Sequence, residues 1–219
     1  MCKVFCSEMG WRVVNDAVQI MGGESYMSEN EVERIFRDSR INLIVEGANE
    51  VMQSYIFGYG GKQLAEQMLG VKNALLKDPD ESLGGYIAKA IKNSFNMRIM
   101  KLAIPLGMEV YFGIRRASPR ITKVVPELES SARRLGDLTR DFTYFFKVLS
   151  KKYDVDMLKR QAVQARFADA AMLLHGWACT LSKLDADIRQ HAGNGAGDAE
   201  FQMIKSAAMH FFDLAEKEI

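Results

Sequence analysis

The sequence predicts an all-α protein built of antiparallel helix bundles, and three observations predict it. Apolar residues recur at intervals of three and four along most of the 219 residues. Only four prolines stand against 13 methionines, so long stretches carry no helix breaker. No segment alternates polar and apolar residues as a half-buried strand does, and no internal repeat is present. Hydrophobic residues at 48% and charged residues at 26% supply a real core and exclude wholesale disorder.

The elements follow in order. Residues 2–21 form a helix on which Val4, Trp11, Val14, Val18 and Met21 share a face, and Gly22-Gly23 stop it. Residues 30–39 are a short charged helix capped by Asn30. A longer helix runs from about Ala48 to Met68, loosened by Gly58, Gly60 and Gly61. Asp78-Pro79-Asp80 and Gly84-Gly85 are breakers. They place a linker at 71–84 between a first domain, 1–70, and a second helical domain, 85–219.

In the second domain Ile87, Ile91, Phe95 and Leu102 form a stripe that Pro105 is expected to end. Leu128, Leu135, Phe142 and Leu149 recur every seventh residue, a spacing that suits helices packed nearly antiparallel. Residues 155–191 read as one Ala-rich helix, 193–197 as a glycine-rich loop. The last helix carries Phe201, Ile204, Ala208, Phe211 and Ala215.

Several functions are excluded. Lys and Arg exceed Asp and Glu by 29 − 28 = +1, which lacks the basic excess of a general nucleic-acid binder. No apolar run reaches the ~18 residues of a membrane-spanning helix. Residues 1–10 carry Lys3 and Glu8 and no apolar core of a secretory signal. Cys2, Cys6 and Cys179 lack a disulfide spacing, and Cys2 with Cys6 has no second pair to complete a zinc site. The residues three before His175, His191 and His210 are Met172, Ile188 and Ala207, so no Glu-x-x-His metal motif exists. No metal is expected. His175, His210, Tyr111, Phe112 and Trp177 are expected in core or boundary positions.

Residues 17–53 carry the chemistry. They contain Gln19, Ile20, Met21, Gly22 and Gly23, then Val32-Glu33-Arg34 with Arg37-Asp38, then Glu46-Gly47-Ala48-Asn49-Glu50. Each piece alone has a plain explanation: a helix terminus, a solvated charged face, a carboxylate near a helix start. In combination, order and spacing resemble the C-terminal helical domain of acyl-CoA dehydrogenases. That family carries Gln-x-x-Gly-Gly, a Val-Glu-Arg…Arg-Asp helix and Glu-Gly-Thr-Asn-Glu. The likeness is dense over 3–57. Residues 62–219 look like the extra helical domain of the very-long-chain subgroup.

The resemblance implies roles. Glu46 matches the base that removes the α-proton of a fatty acyl-CoA, while the β-hydrogen leaves as hydride to FAD, giving a trans-2-enoyl-CoA. Such a carboxylate works best where burial brings its proton affinity toward neutral pH, and Ile44 and Val45 are apolar neighbours. The Glu46 N–H is implied to polarise the thioester carbonyl, and Gly47 to let the thioester approach. Ala48, Asn49 and Glu50 match FAD contacts, and Gln19 to Gly23 match the segment on the nucleotide end of a neighbouring subunit's FAD. Keeping Glu46 places the chain with the majority type, which acts mostly on unbranched acyl chains.

Two positions depart. Ala48 replaces the family's Thr, removing a hydroxyl, and Ser25 replaces a Gly, adding a Cβ to the nucleotide-side turn.

Further expectations follow from the family. The chain has no counterpart of the N-terminal helical domain and β-barrel, so it reads as the C-terminal portion of a longer flavoenzyme, inactive alone. Partners are an acyl-CoA, electron-transfer flavoprotein as acceptor and a second copy in a homodimer. Localisation is cytoplasmic for a bacterial source and mitochondrial for a eukaryotic one. The alternative is a non-catalytic assembly or membrane-docking module derived from the same family. Residues 98–123 bear on it: Arg98, Lys101, Arg115, Arg116, Arg120 and Lys123 stand against Glu109 alone. They read either as a helix corner with its arginines in water or as a peripheral contact with an anionic membrane.

Overall fold

A computed structural model describes residues 1–77, 80–191 and 199–219. The Asp78-Pro79 breaker and the 193–197 loop lie outside the described residues. Among those described, every regular element is a helix, as the sequence predicts. The chain divides into two compact units, bounded differently from 1–70 and 85–219. One comprises residues 1–58 and 161–172, the other 59–160 and 173–219.

The first unit opens with α1 (Cys2–Met21), a 3-10 turn (Gly22–Tyr26) and α2 (Glu31–Arg40). Asn30 caps α2 by accepting from the Val32 N–H at 2.9 Å. Trp11 of α1 packs on Phe36 of α2 with ring centroids 4.8 Å apart, and the Arg40 guanidinium lies 5.4 Å from the Trp11 ring. The start of α3 (Asn49–Leu75) and of α7 (Gln161–His191) complete the unit. There Gln53 donates to Asp169 at 2.7 Å and Phe57 meets Phe167 at 6.0 Å. The glycines at 58, 60, 61 and 70 do not end α3, which runs seven residues beyond Met68.

The second unit holds the rest of α3 and α7 together with α4 (Leu83–Ser94), α5 (Met97–Phe112), α6 (Glu129–Tyr153) and α8 (Ala199–Glu218). Its core is made by α6, α7 and α8. Leu128, Leu135 and Leu138 pack with Trp177, Leu181, Leu184 and Phe212. Trp177 stacks on Phe212 at 5.0 Å. Three glycine-level fits matter: Gly61 of α3 sits where a Cβ would meet the Phe146 ring at 2.5 Å, Gly136 of α6 lies against the Pro119 carbonyl, and Gly113 at φ 70° ends α5.

Four expectations are corrected. Pro105 does not end a helix: α5 runs through it to Phe112, and the break falls at Phe95-Asn96 instead. Asn96 caps α5 by accepting from Arg98 N–H at 3.1 Å, while half-buried Pro105 forfeits only the bond to the carbonyl of Lys101, itself an exposed residue. The helix expected over 155–191 starts at Gln161, because residues 154–159 form a 3-10 turn that buries Met157. Tyr111 and Phe112 are not core; Phe112 is 78% exposed. His175 and His210 both lie on exposed helix faces.

The basic stretch is also more tied down than its composition suggests. Glu109 is 2% exposed and holds Lys147 at 2.7 Å and Arg116 at 3.0 Å. Arg115 pairs with Asp141 at 2.9 Å and lies on the Tyr144 ring at 4.8 Å.

Candidate functional site

The Glu46-Gly47 turn leads into α3. Ala48 accepts the first helical bond, from Met52 N–H at 3.0 Å, so Ala48 is the cap residue of α3 and brings no side-chain acceptor. A Thr there would cap the helix; Ala forgoes about 0.5–2 kcal/mol. Glu46 has φ 56° and Gly47 φ 89°. The left-handed region costs an L-residue on the order of 1–2 kcal/mol, so the Glu46 backbone is held against a preference. Gly47 is required by the turn itself, since a Cβ there would also meet the Met52 sulfur at 3.0 Å.

Glu46, Ile44 and Val45 are all exposed, so the described residues do not build the sheltered environment expected around the carboxylate. Glu46 stands at the positive end of the α3 dipole, which favours a carboxylate and an anionic ligand oxygen alike. Glu50, in the first turn of α3, is exposed too.

Asn49, expected among the FAD contacts, is 2% exposed, and its side chain is turned to α1 instead. Its Oδ1 accepts from Lys3 Nζ at 2.6 Å, and its Nδ2 donates to Glu8 at 2.7 Å and Ser7 at 2.9 Å. Lys3 Nζ also donates to the Gly47 carbonyl at 2.9 Å. Lys3, Ser7 and Glu8 were invisible as site residues in the sequence. Their helical spacing groups them on α1, but nothing local ties them to position 49.

Gln19, Ile20, Met21, Gly22 and Gly23 form an exposed patch at the end of α1, where Ile20 is 85% exposed. Gly22 takes φ 65° as the α1 C-cap. A Cβ at Gly22 or Gly23 would meet nothing within 4 Å, so the backbone is open to a ligand's approach. Ser25, the position that departs from the family's Gly, faces away from that patch. It is 1% exposed, and its hydroxyl reaches the carbonyls of Gly22 at 2.6 Å and Val18 at 2.9 Å. Beside it a groove of about 630 Å³ is lined by Trp11, Tyr26, Phe36, Arg37 and Arg40. Among the described residues no group of His, Cys, Asp and Glu could hold a metal, and no helix is long and apolar enough to cross a membrane.

Residues 1–57 match the family model of the acyl-CoA dehydrogenase C-terminal domain. The mitochondrial very long-chain specific acyl-CoA dehydrogenase of Mus musculus is 29% identical over 188 residues, covering 86% of this chain and 26% of its own length. A probable acyl-CoA dehydrogenase of Bacillus subtilis is 57% identical over 49 residues, 22% of this chain and 8% of the relative. The crystal structure of a Bacillus anthracis acyl-CoA dehydrogenase complexed with FAD superposes over 99% of this chain and 30% of its own, with a TM-score of 0.66 and 22% identity. At that identity the likeness establishes the fold. The chain thus spans about a quarter of the length of the mouse relative.

Proposed function

We propose that this chain is the part of an FAD-dependent acyl-CoA dehydrogenase that carries the catalytic base, and that Glu46 is that base. The observation that carries the reading is the Glu46-Gly47 turn: a carboxylate in a left-handed conformation on the N-terminus of α3, inside the segment that matches the family model.

The residues present fit the cofactor. Gly22 and Gly23 offer open backbone at the end of α1, and Gln19, Ile20 and Met21 are exposed beside them, a surface for the nucleotide end of FAD. Ala48 and Glu50, next to the turn, would contact the flavin. Bound FAD supplies the acceptor for the substrate's β-hydride. The chain's own residues do the rest. The Glu46 N–H, in the turn that precedes α3, donates to the thioester carbonyl and acidifies the α-proton. The Glu46 carboxylate takes that proton. Gly47 lets the thioester lie close to the backbone. Ile44 and Val45, exposed here, become the apolar wall once the rest of the site covers them, and the covering excludes water from the carboxylate.

The substrate is a fatty acyl-CoA, the product its trans-2-enoyl-CoA, and the electron acceptor electron-transfer flavoprotein. The chain on its own is inactive, and the enzyme is a homodimer. The mouse relative is mitochondrial by name, which supports a mitochondrial place for a eukaryotic source. The test is proton exchange. In the FAD-loaded enzyme containing this chain, heavy water should replace the α-hydrogen of bound acyl-CoA, and Glu46→Gln should abolish that exchange. Undiminished exchange in the variant ends the assignment.

A second surface belongs with this reading. Residues 82–108 contain Lys92, Arg98 and Lys101, with Lys89 held by Glu81 at 2.7 Å, and no acidic residue of their own. On the same stretch Leu83, Ile87, Ile91 and Phe95 are exposed at every fourth position of α4, with Phe95 86% exposed. This is an anionic-membrane contact surface, centred on α4 and the first turns of α5 rather than on Arg115 and Arg116, which are engaged by Asp141 and Glu109.

A further inference from the structure

We infer that Lys3, acting through Asn49 against Glu8, is the positioning residue for Glu46; the functional part of this inference rests on Glu46 being the base. Glu46 and Gly47 are consecutive residues with positive φ, so the direction of the Glu46 carboxylate depends on a turn that local preference does not hold. Gly47 has no Cβ to restrict its rotation. What fixes it is its carbonyl, which accepts from Lys3 Nζ at 2.9 Å.

Lys3 is in turn fixed by the amide of Asn49. The amide oxygen faces Lys3 at 2.6 Å and the amide nitrogen faces Glu8 at 2.7 Å. The cation thus sits at the negative end of the amide dipole and the carboxylate at its positive end, so one orientation of the amide satisfies both and the flipped one satisfies neither. Ser7 fills the remaining donor at 2.9 Å. The network ties the first two turns of α1 to the start of α3 across more than forty residues of sequence. Because Asn49 is 2% exposed, its bonds are not exchanged for water, and loss of one partner leaves a buried polar group unmade. Lys3, Ser7, Glu8 and Asn49 bond to one another and to the Gly47 carbonyl, so their effect on chemistry passes through the turn.

The experiment uses the 219-residue chain and a protease that cuts after glutamate. Cleavage at Glu46-Gly47 reports opening of the turn, and cleavage after Glu33 of α2 reports opening of the whole unit. Lys3→Met should raise the rate at Glu46 roughly tenfold or more, the worth of a charge-assisted hydrogen bond, with the Glu33 rate unchanged. Lys3→Arg, which keeps a donor cation, should restore it. Equal acceleration at both sites, or none at either, overturns the inference. Should Lys3→Met unfold the unit, Glu8→Gln carries the same comparison, with an expected rise at Glu46 alone. The catalytic consequence is read separately: in the FAD-loaded enzyme Lys3→Met should lower kcat and leave KM unchanged. An open turn with unaltered kcat overturns the positioning role while leaving the turn's tether intact. Failure of Glu46 as base is read in Glu46→Gln, whatever Lys3 does.

Discussion

Replacing Gly136 with Ala should destabilise the second unit, although the same change in a helix ordinarily stabilises. Gly136 lies within α6 against the segment 113–125. A Cβ there runs into the carbonyl oxygen of Pro119, with the carbonyl carbon at 3.4 Å and Ser118 Cβ at 3.9 Å. The obstacle is backbone, and that backbone is pinned. Arg140 donates to the Ser118 hydroxyl at 3.0 Å, Ser118 donates to Asp137, and Arg115 pairs with Asp141 at 2.9 Å. No side-chain rotation relieves the clash. Overpacking costs about 1–3 kcal/mol, and a pinned backbone neighbour puts this case near 3. Alanine returns about 1 kcal/mol of helix propensity. The net loss is about 2 kcal/mol, a fall in Tm of roughly 4–8 °C for a protein of this size. Gly60→Ala in α3 is the control, since a Cβ there meets nothing within 4 Å, and it should raise Tm slightly. Calorimetry of the two variants decides the matter. A Gly136→Ala protein melting at or above the wild-type temperature would refute the reasoning.

Other outcomes follow from the same structure. Arg189 and the Val125 N–H hold the Asp185 carboxyl below its ordinary range, the Val125 bond measuring 2.7 Å. A lowered folded-state value stabilises the protein above the unfolded carboxylate's titration and loses that stability as pH falls below about 4, so Asp185→Asn should flatten the acid limb of a stability–pH curve measured with urea. An unchanged limb would contradict it. The isolated chain should purify colourless, because Glu46, Ile44 and Val45 are open to water and no second wall among the described residues encloses a flavin; about one FAD per chain by absorbance would show otherwise. Anionic vesicles should sediment the chain and neutral ones should not, and Ile91→Glu with Phe95→Glu should abolish the effect. Equal recovery in the supernatant with both lipids would remove the membrane surface.

The sequence disclosed the fold class and most elements because their signals are local. Gly22-Gly23 and Asn30 set the end of α1 and the start of α2, and the structure puts the boundaries there. The α4–α5 break was missed because Pro105 is a louder signal than Asn96. A proline within a helix can be carried at the loss of one bond, while a capping asparagine starts a new helix. The turn over 154–159 was missed because it depends on Asp154 at φ 45°, which no residue type announces. Glu46 and Gly47 were marked as site residues by the family resemblance, but their left-handed turn was not legible from residue type. The Lys3–Asn49–Glu8 network was not legible either, because its partners are brought together only by the packing of α1 on the start of α3. The inward turn of Ser25 was equally hidden, since a hydroxyl near a helix end can face either way.

Glu46 is proposed to take the α-proton without being needed to hold the cofactor. The most direct measurement is rapid anaerobic mixing of fatty acyl-CoA with the FAD-loaded enzyme containing this chain, wild type against Glu46→Gln, with flavin content determined for both. FAD content should be equal, and flavin bleaching by the substrate should fall by at least about 10²-fold in the variant, the low end for removal of a general base. Bleaching at a near-normal rate, with FAD fully bound, would contradict it.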